Sequence, residues 1–137
     1  SQEPITTTTV AVERRAMPFA WGVNDCCLFA ADAVNACTGW DPAEDLRGTY
    51  GSAEEARVAL GRVGGLEGLC VQRAGPVVAT ALAQLGDIGL MRRAHGVGGF
   101  PALAVCGGAH WLAPGAGGLV AHPPEHVVRA WRCTAEA

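Results

Sequence analysis

A nine-residue run, Trp21-Gly22-Val23-Asn24-Asp25-Cys26-Cys27-Leu28-Phe29, holds the residues best placed to do chemistry in this chain. A turn bearing Gly, Asn and Asp leads straight into a cysteine that opens an apolar helix. The first N–H groups of a helix lack partners and carry about half a positive charge. A thiolate at that place is stabilised, its pKa falls, and it becomes a nucleophile near neutral pH. Cys26 is therefore the candidate nucleophile. Asn24 or Asp25 caps the helix, because a short polar side chain accepts from its first free N–H groups. Cys27 falls with Ala30, Val34 and Cys37 on one apolar stripe, which assigns it to the core.

The elements that must position Cys26 follow from periodicity and punctuation. Residues 1 to 9, with four consecutive threonines, read as an extended arm, and Val10 to Met17 as a short helix or strand stopped by Pro18. The helix opened by Cys26 ends at Thr38-Gly39, where glycine suits a left-handed cap. Pro42 to Leu46 reads as one helical turn. Ser52 and Glu55 form a capping box for a helix through Leu60, and Leu66 to Arg73 reads as another. Ala74 to Val78 is a connector, and residues 79–85 read equally as helix or loop. From Gly86-Asp87 onward the texture becomes that of strands: Ile88 to Arg92, Ala102 to Cys106, Ala109 to Ala113 after a Gly107-Gly108 turn, and Leu119 to Ala121. Val127 to Cys133 is a last strand or short helix. Helices first and strands afterwards make an α+β plan. The chain divides into an arm, 1–17, and one domain, 18–137.

Composition narrows the function classes. Half of the residues are hydrophobic and 17% are charged, so the chain folds around a core. A net charge of −3 argues against nucleic acid as a partner, and Arg92-Arg93 is too small a basic patch to argue for it. The spacing of the six cysteines is irregular, so free thiols in a reducing compartment are expected. Neither a CxxC pair nor a Cys/His cluster is present, so no metal and no cofactor are expected. No run of about 18 apolar residues exists to span a membrane, and the N-terminal segment lacks the basic and apolar parts of a secretory signal. Trp21, Trp40, Tyr50 and Trp111 line a groove for a glycan or peptide, or pack in the core.

The order of Asp25-Cys26, Gly86-Asp87 and the strands that follow resembles the NlpC-type papain-like peptidases. More narrowly, Trp21-Gly22-x-x-Asp25-Cys26, Thr38-Gly39-x-Asp41-Pro42, Leu46-Arg47-Gly48-x-Tyr50, Gly64-Gly65, Gly86-Asp87 and Arg129-Ala130-Trp131-Arg132 resemble a small phage-encoded domain family related to them. The resemblance implies a papain-like fold, with N-terminal helices packed on a small antiparallel sheet. It also implies a phage tail-tip or baseplate setting: a virion protein, made in the bacterial host cytoplasm, whose partners are tail-tip proteins such as the hub or distal tail protein. The catalytic histidine expected from that family falls on Ala102 and the third polar residue on about Ala113. Alanine neither takes a proton nor orients a base. Two functions are therefore expected. One is a structural tail component on a degenerate cysteine-peptidase scaffold. The other is an active thiol peptidase or amidase acting on peptidoglycan stem peptides, with Cys26 as nucleophile, Asp25 beside it, and His110 or His95 as base. His122 and His126, flanking Pro123-Pro124, are expected to face solvent or a partner. Asp25 is more simply a helix cap, and Asp87 holds a turn.

Overall fold

Residues 6–134 are described in a computed structural model. Among these residues four helices precede a six-stranded antiparallel sheet, the α+β plan expected of the sequence. The first helix, α1, is Thr7–Arg14. It corrects the expected extended arm: Thr7 to Thr9 are helical, and the Thr6 side chain accepts from the Thr9 N–H. Threonine is a good N-cap although an indifferent helix former. Burial of Thr7 and Val10 then outweighs the weak propensity of the run. Residues 1–5 of that arm lie outside the described residues.

Helix α2, Cys26–Thr38, begins at its Asp25 cap and ends at Gly39, which is left-handed at φ 79°. Its Cys27, Phe29, Ala30, Ala33 and Val34 are buried. The ion pair of Arg14 Nη2 with Asp32 Oδ2, 2.6 Å, holds α1 on α2. The other oxygen of Asp32 takes Arg47 at 2.6 Å, and Arg47 reaches Asp41 at 2.7 Å. This charge ladder fixes the 41–48 segment, a string of turns rather than one helical turn. Helix α3, Ala53–Gly61, starts at Ser52 as its capping box predicts, and α4 is Gly65–Arg73.

The strands are β1 (Val77–Val78), β2 (Ile88–Met91), β3 (Ala102–Cys106), β4 (Trp111–Gly115), β5 (Gly118–His122) and β6 (Val127–Trp131), in sheet order β1-β6-β2-β3-β4-β5. β1 corrects the connector expected at 74–78: two residues pair with Trp131 and Ala130 at the sheet edge. Residues 80–82 form a short 3-10 turn. Asp87 ties this region together. Its carboxylate accepts from the Gln84 and Cys133 N–H groups at 2.8 and 2.9 Å and pairs with Arg132 at 2.9 Å. Side chains alternate across β3. Leu103 and Val105 join the core under α2, while Ala102, Ala104 and Cys106 join a second cluster built on Trp111.

Candidate functional site

Cys26 sits where α2 meets the start of β3, and it packs against both hydrophobic clusters. Its position is fixed through Asp25, which is 1% exposed. Oδ1 of Asp25 accepts from the Leu28 N–H at 2.9 Å, capping the helix. Oδ2 accepts from the Gly22 N–H at 2.9 Å and from the Tyr50 hydroxyl at 2.8 Å. One carboxylate thus holds the turn before the helix, the helix itself, and a loop 25 residues away. Gly22 lies at φ +76°, and a Cβ there would strike the Tyr50 carbonyl, so the turn requires glycine. Of the two possible caps, Asp25 does the work. Asn24 instead donates from Nδ2 to the Met17 and Pro18 carbonyls, both at 3.1 Å.

Beside Cys26 opens a groove of about 530 Å³, lined among others by Trp21, Tyr50, Leu60, Arg93 and Phe100. Trp21 stands edge-on to Phe19 at 4.8 Å and to Phe100 at 5.7 Å. Of the aromatic residues singled out in the sequence, Trp21 and Tyr50 reach the groove. Trp111 is 2% exposed in the second cluster, and Trp40 packs half-buried against the first, under α2.

On the sheet side, a smaller pocket brings Cys26 together with Ala102, Ala113, His95 and His122. Ala102 and Ala113, the two alanines singled out in the sequence, line this pocket with the cysteine. His110 does not reach this place: it is exposed in the turn between β3 and β4, at the opposite end of β3 from Ala102. A strand of that length separates them by about 13 Å. No side chain among the described residues hydrogen-bonds the Cys26 thiol. Burial, and secondarily the Asp25 charge, push it up to about 12, against the lowering by the Leu103 backbone. The helix start is therefore outweighed by loss of water.

His122 and His126, expected to face solvent or a partner, cluster with His95, one of the candidate bases. The His95 and His126 rings stack at 3.4 Å and 4°, and Nδ1 of His122 lies 3.0 Å from Nδ1 of His126. Loss of water and the neighbouring His126 hold both His95 and His122 below the usual imidazole value. His122 ends β5 and His126 lies in the turn that follows it, while His95 comes from the 92–101 loop, so no local pattern brings all three together. Among the described residues no group of three or more His, Cys, Asp and Glu is arranged to hold a metal ion. No helix there is long and apolar enough to cross a membrane.

Fold and site together define an α+β domain with a half-buried cysteine at a capped helix start, set over a small antiparallel sheet and beside an aromatic groove. The chain belongs to the family described as a domain of unknown function, DUF6950, whose profile matches residues 5–133. No curated protein matches it.

Proposed function

We propose that this protein is a structural component of a phage tail tip or baseplate, built on a cysteine-peptidase scaffold that has lost its base. It would work through contacts with neighbouring tail proteins rather than by bond cleavage. The observation that supports the loss of catalysis is that Ala102 and Ala113, which the sequence resemblance aligns with the base and its orienting partner, line the pocket with Cys26. A thiol pushed up to about 12 holds almost no thiolate at neutral pH. The tail setting rests on the sequence resemblance.

A second reading has one observation in its favour. His95 and His122 line the same pocket as Cys26, so a movement of the 92–101 loop would bring an imidazole to the sulfur. In that case Cys26 attacks a stem-peptide amide, and the N–H groups at the start of α2 hold the oxyanion.

Iodoacetamide labelling of Cys26 against pH, located by mass spectrometry, separates the two. The structural reading expects labelling that rises only above pH 10 and is unchanged in His95→Ala, His122→Ala and His110→Ala. A rate that titrates near pH 7 and collapses in His95→Ala or His122→Ala overturns it in favour of the enzyme. The tail assignment stands or falls separately, by mass spectrometry of purified virions for this chain.

A further inference from the structure

One loop stands between the two spaces beside Cys26. Residues 93–100 join β2 to β3 through two short 3-10 turns, Arg93–His95 and Val97–Gly99. On one side Arg93, Gly98, Gly99 and Phe100 wall the aromatic groove. On the other, His95, Gly96, Val97 and Phe100 wall the small pocket that holds Cys26. Among the described residues, the hydrogen bonds of 93–100 stay within the loop and its first neighbour. The His95, Gly96 and Phe100 N–H groups donate to the Arg92, Arg93 and Val97 carbonyls. Two ring contacts seat the loop on the body instead: His95 stacked on His126 at 3.4 Å, and Phe100 edge-on to Trp21 at 5.7 Å. Gly98 and Gly99 are both left-handed, at φ 66° and 78°, and supply a pivot that side-chain-bearing residues would resist.

We propose that residues 93–100 are a lid latched by the His95–His126 stack at neutral pH, and that acid releases it from Trp21 and widens the groove. His122 and His126 face each other Nδ1 to Nδ1 at 3.0 Å, a distance that needs one nitrogen to donate and the other to accept. Once both rings are protonated, donor faces donor. A charged His95 then lies flat against a charged His126 as well. Nothing around the cluster relieves this. Arg92 adds a positive charge beside His95. Glu125 precedes His126 in its turn, yet among the described residues no carboxylate forms an ion pair with any of the three. The other titratable group lining the pocket is Cys26, a neutral thiol over this range. Rings released to water bind protons more readily than latched ones, so falling pH favours the open loop. Loss of water and then His126 hold His95 and His122 low, which sets the release below about pH 6.5. Cys26 itself stays packed against both hydrophobic clusters, so the lid uncovers Trp21 rather than the thiol. The lid is independent of whether Cys26 reacts.

The test is fluorine NMR of the whole chain labelled with fluorotryptophan, the Trp21 signal being assigned from Trp21→Phe. A soluble gadolinium chelate broadens the rings that meet solvent. Between pH 7.5 and 5.5 its broadening of Trp21 should rise several-fold, while the buried Trp111 and Trp131 stay unaffected. His95→Phe keeps a ring in the stack that takes no proton, and should leave Trp21 covered at pH 5.5. His122→Gln removes one of the three imidazoles and should move the release to lower pH. Equal broadening of Trp21 at both pH values, or an unchanged release in His95→Phe, overturns the proposal. Broadening of Trp111 and Trp131 together with Trp21 also overturns it, because that marks unfolding of the whole domain. If His95→Phe does not fold, His122→Gln decides, and a release at the same pH as in the unsubstituted chain overturns the lid.

Discussion

Both carboxylate oxygens of Asp25 are occupied by donors from three parts of the chain. The cap was legible, because Asp before an apolar run accepts the first free N–H groups. The Tyr50 partner was not, since nothing local links residues so far apart in sequence. Replacing Asp25 by Ala removes a cap and strands a buried hydroxyl, and should cost about 3 kcal/mol in urea unfolding. Tyr50→Phe removes one bond and should cost about 1 kcal/mol. Equal losses in the two variants would contradict this account. The Asp25 charge also helps to hold the Cys26 thiol up. Asp25→Asn should therefore speed iodoacetamide labelling of Cys26 at pH 9, read by peptide mass spectrometry, whereas an unchanged rate would leave burial as the sole cause.

At the scale of elements, caps and glycines marked helices α2, α3 and α4 because their signals are local. α1 and β1 escaped for opposite reasons. α1 is a threonine-rich stretch made helical by packing on its neighbours, and β1 is two residues defined by pairing with β6. The contact of α1 with α2 centres on Asp32, shared by Arg14 and Arg47. All three side chains keep some exposure to water, so the pairs are partly screened. Asp32→Ala should lower stability by about 1 kcal/mol in urea unfolding, less than Asp25→Ala, and its effect should shrink in 1 M salt. A salt-insensitive loss would assign the effect to packing.

Across the whole molecule, the His95, His122 and His126 cluster makes stability depend on pH. His95 and His122 are held below their ordinary imidazole value, first by loss of water and then by His126, with Arg92 adding to the effect on His95. The unfolded chain then binds protons at a pH where the folded one does not. The stability these residues contribute is complete above the unfolded value of about 6.5 and is lost as pH falls through the lowered values. Urea midpoints should fall between pH 7.5 and 5, and His122→Gln should flatten that slope; a midpoint unchanged over this interval would argue against the cluster. The place where Cys26 meets Ala102 and Ala113 bears on how such chains evolve. The Asp25 bonds and the glycine at 22 serve folding whether or not the neighbouring sulfur reacts, so purifying selection on folding alone would preserve them. An Asp-Cys pair in a sequence is therefore accounted for by helix capping alone, and a genome survey that takes that spelling for an enzyme would be counting caps.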